Sequence, residues 1–184
     1  MEIEVALTPA LRSYLDSYGD KPGPGLPSTR LIINEFNYWI DYIKTLPPGA
    51  NRAGVIHTLI DHQRSEYYAM KPEAKLEVKC KKGCSFCCVN SVEITSDEKE
   101  LLKDAPILNR SGPACPLLNS NGTCSVYDKR PAACRNREVV SLPALCKTDL
   151  NKVSVSMILK AEIIASAAMT VCQGGISMRE ALVD

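Results

Sequence analysis

The sequence predicts a mainly α fold with little β, interrupted by one loop-rich segment. Three observations carry this. Apolar residues recur at helical spacing on both sides of the middle of the chain. The middle itself is rich in Gly, Pro, Asn and Ser. Eight of the nine cysteines fall inside it, between Cys80 and Cys146. The 184 residues are 45% hydrophobic and 5% aromatic, which gives a mostly aliphatic core of single-domain size. Residues 1–79 read as an N-terminal helical extension, 80–150 as a cysteine segment, and 151–184 as C-terminal helices packing on the core.

Lys21-Pro-Gly-Pro-Gly-Leu-Pro27 cannot be regular structure and reads as a linker. Ser28 caps a helix over 29–45, where Ile32, Phe36, Trp39, Ile40 and Ile43 mark one face. Pro47-Pro48 ends it. Asn51 is the expected cap of a second helix reaching Met70, with Val55, Ile56, Leu59 and Ile60 on its apolar face. The short connection predicts an antiparallel hairpin. His57 and His62 lie on the second helix. A five-residue step turns about 500°, so their rings diverge by roughly 140° and do not chelate one ion together. They read as surface or hydrogen-bonded histidines.

Beyond the first cysteines, Val92-Glu-Ile94 predicts a short strand. Thr95 and Glu98 stand at capping-box spacing for a following helix. Gly112 to Cys146 predicts loops and turns. Residues 151–172 predict one long helix, with Val153, Met157, Ala161, Ile164, Ala168 and Val171 on a face and Gln173-Gly174-Gly175 as its stop. A short helix over 177–183 closes the chain. Cys172 sits apart from the other eight cysteines and reads as a small packed residue.

The basic and acidic residues, 22 against 21, leave a net charge of +1, so neither nucleic acid nor an anionic membrane is an expected partner. The partner is left as an unidentified protein or small molecule. The acidic start Met-Glu-Ile-Glu-Val lacks a long apolar core, and no stretch approaches about 18 apolar residues. The expected compartment is therefore the cytoplasm, where thiols stay reduced. Reduced thiols, and an odd cysteine count, argue against a disulfide framework and for metal ligation.

Cys80, Cys84, Cys87 and Cys88 lie within nine residues, followed by Cys115, Cys124, Cys134 and Cys146. All eight are candidate metal ligands, since thiolates at turn-like spacings hold zinc or an iron–sulfur cluster. Such a loop-rich segment needs staples, and metal supplies them. Cys80-x3-Cys84-x2-Cys87 has the spacing by which radical enzymes hold a four-iron (4Fe-4S) cluster open to S-adenosylmethionine. This chain lacks the length and strand–helix alternation of their barrel. Three sulfurs on one loop still suit a cluster corner, and Gly83 eases the turn. Side chains of adjacent residues point apart, so Cys87 and Cys88 are not expected to bind one ion together. Two four-sulfur sites, or one site and a remainder, are both allowed.

Cys84-Ser-Phe-Cys87-Cys88, then Cys115-Pro116-Leu-Leu118, then Cys124-Ser-Val-Tyr127-Asp-Lys-Arg130-Pro131-Ala-Ala-Cys134-Arg135 form an ordered set. Together with Val92-Glu-Ile-Thr95 and Glu98, this set resembles the YkgJ-type cysteine-cluster family of zinc- or iron-chelating domains. The resemblance covers about residues 80–146. It implies a cysteine-held metal centre, iron–sulfur or zinc, in a structural, redox or accessory role. The family's frequent Phe-Pro after the last Cys-Arg is replaced here by Asn136-Arg137-Glu138. Tyr127, Arg130 and Arg135 are the expected residues around the bound group. The arginines donate to sulfur or nearby carbonyls, and the tyrosine packs its ring. The resemblance extends to a flagellin lysine methylase, which gives the alternative: an iron–sulfur-dependent modifying enzyme, such as a protein lysine N-methyltransferase using S-adenosylmethionine. No phosphate-cradling loop, histidine beside a nucleophile or carboxylate pair identifies a catalytic residue.

Overall fold

A computed structural model describes residues 7–18 and 27–183. Over these residues 58% are helical and 6% lie in strands, a mainly α fold as predicted. The expected linker, apart from Pro27, falls outside the described residues. Two short helices, α1 (Pro9–Tyr18) and α4 (Pro72–Glu77), join the expected α2 (Thr29–Thr45) and α3 (Ala50–Met70). Ser28 caps α2 as predicted, accepting the Leu31 N–H at 3.4 Å. Ile32, Phe36, Ile40 and Ile43 are buried along it. The start of α3 differs from expectation. Asn51 lies within the helix, and the cap is Gly49, whose φ of 111° suits glycine alone. The Gly49 N–H is taken by Asp97 Oδ1 at 2.9 Å, so a residue 48 positions away sets where α3 begins. Ile56 and Ile60 are buried, but Val55 faces solvent.

The C-terminal region departs most from the pattern. The expected single helix over 151–172 is broken. Leu150–Lys152 form a 3-10 turn, β3 (Val155–Ser156) follows, and only Leu159–Val171 form a helix, α8. Val153, Ser154, Val155 and Ser156 are poor helix formers, and β2 (Glu138–Val139) offers Val155 and Ser156 an antiparallel partner instead. The predicted α2–α3 hairpin is also corrected. Both helices pack chiefly on α8, which serves as the common wall of the core. Ala161, Ile163, Ile164, Ala165, Ala167 and Ala168 of α8 are all buried. A helix enclosed all round has no single apolar face. Ile43, Ile60 and Ile164 have no exposed surface, and each such side chain contributes about 1.5–3 kcal/mol by burial. Glu162 and Ser166, also buried on α8, hold α1 through Thr8. Ser166 Oγ accepts the Thr8 N–H at 3.0 Å, and a Glu162 carboxylate oxygen accepts the Thr8 hydroxyl at 2.7 Å.

A second, smaller core lies under the cysteine segment. β1 (Glu93–Ile94) pairs antiparallel with β4 (Ile176–Ser177), and Ile94, Leu102, Leu117 and Met178 pack together. The capping box of α5 (Ser96–Leu102) is formed as predicted by Thr95 and Glu98. The chain ends in α9 (Met178–Val183). Between the cores, Arg52 on α3 pairs with Asp97, and His57 Nε2 lies 2.8 Å from Glu98 Oε1. Both pairs are buried, so α5 is locked to α3 by side-chain hydrogen bonds as well as by packing. No helix among the described residues is long and apolar enough to cross a membrane.

Candidate metal centre

The cysteines are carried on short turns, each clipped to the next by backbone hydrogen bonds. Gly83 takes φ 93°, as the tight turn before Cys84 requires, and Cys84 N–H donates to Lys81 O at 2.9 Å. Cys87 and Cys88 share a 3-10 turn, Phe86–Val89, which separates successive side chains by about 120°. Cys115 N–H donates to Cys88 O at 2.6 Å, which docks the second loop on the first. Asn109 Nδ2 holds that loop through Cys115 O at 3.0 Å and Leu118 O at 2.6 Å. The Arg179 guanidinium reaches back from α9 to the carbonyls of Asn109, Arg110 and Ala114. Leu118 and Cys124 form an isolated bridge. Cys134 lies on α6 (Ala132–Asn136), and Cys146 on α7 (Leu145–Thr148). Helix α7 packs on the Cys87–Cys88 turn, and Asn90 Nδ2 fixes it through Cys146 O at 3.0 Å. Cys80 Sγ accepts the Val139 N–H at 3.3 Å.

The thiols on these turns feel one another electrostatically. Burial raises the Cys80 thiol, and the charges of Cys84, Cys87 and Cys146 raise it further. Burial likewise raises Cys134, with added repulsion from Cys87, Cys115 and Cys124. Cys115 is raised by burial and by Cys124 and Cys87. The adjacent pair responds jointly. Cys88 hydrogen-bonds to Cys87 and draws its thiol down to about 6, aided by the positive charges of Arg137 and Arg130. Cys88 is correspondingly raised by that bond, by burial and by Cys87, Cys115 and Cys134. Such a pair titrates as a unit, losing its first proton near neutrality and its second with difficulty. Cys87 is within electrostatic reach of Cys80, Cys115 and Cys134, and Cys88 of Cys115 and Cys134.

The three residues expected around the bound group divide in their surroundings. Arg130 stacks over the Tyr127 ring, 4.1 Å from its centroid, with Lys82 Nζ at 5.2 Å from the same ring. Arg130 also carries charge to Cys87. Arg135 faces away from the sulfurs. Its guanidinium donates to Arg130 O at 2.8 Å, to Asp128 O and to the Asp61 carboxylate, tying the Tyr127–Arg135 loop to α3. Arg137 had no assigned role from sequence, yet its charge acts on Cys87, and its buried Nε has no protein partner among the described residues. The only sequence signal for it was its place two residues beyond Arg135.

His57 is engaged by Glu98, and His62 lies exposed, 3.5 Å from Glu66. Cys172 is buried in the main helical core, its thiol pushed up to about 12 by burial and the neighbouring Asp97 charge. A cavity of about 400 Å³ lies between the cysteine segment and the helices, with Cys87, Cys88, Cys115 and Cys134 in its wall.

The donor set fits a soft metal. Eight uncrosslinked thiols gather in one segment, with amide N–H and guanidinium groups placed to offset thiolate charge. Among the described residues no three His, Cys, Asp or Glu side chains are grouped so as to hold a metal ion. No curated protein and no solved structure matches the chain. Residues 79–162 match the CxxCxxCC family model, described as a putative zinc- or iron-chelating domain. That span takes in all eight clustered cysteines and runs on into α8. Over residues 79–162 the chain is thus similar to the zinc- or iron-chelating domains of this YkgJ-type cysteine-cluster family.

Proposed function

We propose that the protein holds zinc or an iron–sulfur cluster through the eight thiolates of residues 80–146, in a structural, redox or accessory role in the cytoplasm. The observation that carries this reading is the gathering of eight free thiols on turns that have few other means of ordering themselves. Eight thiolates provide for two four-sulfur groups, or for one group and a remainder. The Cys80–Cys87 loop favours a four-iron cluster over a lone ion, because three sulfurs on one turn suit three corners. Zinc would supply a redox-inert crosslink, whereas a cluster would add electron transfer. The protein's own part is to order the loops, to donate the Val139 N–H to Cys80, and to hold Arg130 and Arg137 against the charge at Cys87.

The test is purification without oxygen, followed by elemental analysis and visible absorbance. Iron and acid-labile sulfide with brown colour identify a cluster, and colourless protein with stoichiometric zinc identifies zinc. Protein that is fully folded and contains neither metal sinks the reading. Cys124→Ser and Cys146→Ser should each remove about half of the metal if there are two groups, and all of it if there is one.

One observation favours a second reading, an iron–sulfur-dependent modifying enzyme using S-adenosylmethionine, such as a protein lysine N-methyltransferase. The cavity against the thiols gives a small molecule room beside the centre. A nucleoside cofactor that co-purifies without oxygen, or saturable binding of S-adenosylmethionine, separates this reading from the first.

A further inference from the structure

The cavity beside the cysteine segment has a second wall that the thiolate reading does not use. Its lining is mostly apolar and built from small and flexible side chains, including Ile56, Ile94, Ala165, Ala168, Met169 and Met178. At about 400 Å³ it falls within the range of small-molecule sites. The polar groups in the wall differ in how far their hydrogen-bonding capacity is used. Glu98 is saturated, accepting from His57 Nε2, the Ala132 N–H and the Thr95 N–H. Arg137 faces the charge at Cys87.

Glu162 is different. It is 6% exposed on α8, hydrogen-bonds to the hydroxyl of Thr8 and to the Asn136 side chain, and touches no cation among the described residues. Arg64 lines the crevice behind it, but its guanidinium is engaged by Glu138 and Asp61. Asn136 lines the same cavity and donates its Nδ2 to Ala161 O at 3.2 Å, leaving its buried Oδ1 with no protein partner among the described residues. A carboxyl group without a cation and an amide oxygen without a donor thus stand together in an apolar chamber. Burying a carboxyl in this way is costly unless something cationic joins it.

We propose that this cavity is a binding site for a small organic amine, with a protonated amino group seated on Glu162 and Asn136 Oδ1 and an apolar body lying against Ile56, Ala165, Ala168 and Met169. The inference is independent of which metal the thiols hold. Charge complementarity selects the head group. The alanines, which leave room on α3-facing α8, select a slender aliphatic or single-ring body. An anionic head would meet Glu162 and be rejected.

The test uses the full chain as purified, with hexylamine and benzylamine as probes and hexan-1-ol and hexanoate as controls. Calorimetry reads affinity, and the methyl resonances of Met169 and Met178 report occupancy. Hexylamine should bind saturably and shift both methyl signals, with hexan-1-ol at least tenfold weaker and hexanoate silent. Glu162→Gln should weaken hexylamine at least tenfold, leave hexan-1-ol unchanged, and retain wild-type metal content. That last readout separates this site from the thiolate centre. A lysine-containing peptide that displaces hexylamine assigns the amine to a side chain, and failure to displace it assigns a free small molecule. Equal binding of hexylamine and hexan-1-ol to the wild-type protein overturns the proposal whatever the variant does. Absence of any methyl shift, or undiminished amine binding by Glu162→Gln, overturns it as well.

Discussion

Replacing Arg135 by alanine should damage the fold and spare the metal. The guanidinium makes three contacts: to Arg130 O at 2.8 Å, to Asp128 O, and to the Asp61 carboxylate. The Asp61 pair counts for little, because Asp61 is 44% exposed and water replaces the arginine there. The two carbonyls are the costly part. They turn the loop that carries Cys134, and each loses its donor in a part-buried setting. A group left unsatisfied costs about 1–3 kcal/mol, so the pair gives about 2–6 kcal/mol, a large share of a typical domain's stability. Urea unfolding of the metal-loaded protein measures this, and for a slope of about 2 kcal/mol/M the midpoint should fall by about 1–3 M. Arg135→Lys should recover little, since a point charge cannot serve two carbonyls and a carboxylate in one plane. The reasoning fails if Arg135→Ala unfolds within about 0.5 kcal/mol of wild type. It fails equally if the folded variant loses metal to the extent that removal of a group beside the sulfurs does, since Arg135 then acts on the centre.

Four further outcomes follow from the same geometry. Arg137→Ala should weaken metal retention about 10–100-fold in a chelator competition while shifting the urea midpoint little, because its charge acts on Cys87 rather than on the fold. Cys172→Ser should leave metal content at the wild-type level, whereas serine at Cys80, Cys84, Cys87, Cys115, Cys124 or Cys134 should lower it; equal loss at Cys172 would place a ligand at the C-terminal cap of α8. Metal removal should expose residues 80–150 to protease before α2, α3 and α8, as peptide mapping will record, because the apolar cluster under these loops is much smaller than the one that buries the helices. Burial holds the Glu162 carboxyl above its usual range despite bonds from Thr8 and Asn136, so it is favoured only below about pH 4, and its cost grows as the pH rises through the folded value. Among the described residues Thr8, Asn136, Ser166, Arg64 and Glu138 are the groups around it, and none supplies it with a free cation. Glu162→Gln should therefore match wild type in thermal stability near pH 4 and exceed it at pH 8; the opposite trend would mean that Glu162 is ionised and paired.

Local chemistry was legible in the sequence because it is written in neighbouring residues. Ser28 before an apolar repeat, Thr95 three residues before Glu98, and glycine at position 83 each act within one turn, and the structure contains all three features. The ordered cysteines likewise carried the metal reading, since a thiolate's affinity for soft metal belongs to the residue itself. Tertiary structure decided matters that depend on distant partners. Val155 and Ser156 became a strand because Glu138 and Val139 lay alongside, and α3 began at Gly49 because Asp97 took its N–H. Helix α8 separated the two helices expected to pair, because its alanines could be buried on every side. The surroundings of Arg135 and Arg137 were decided for the same reason. Arg135 stands beside a cysteine in sequence, but Asp61 and two carbonyls turn it away, while Arg137 is brought to Cys87 by the fold of a loop that no periodicity encodes.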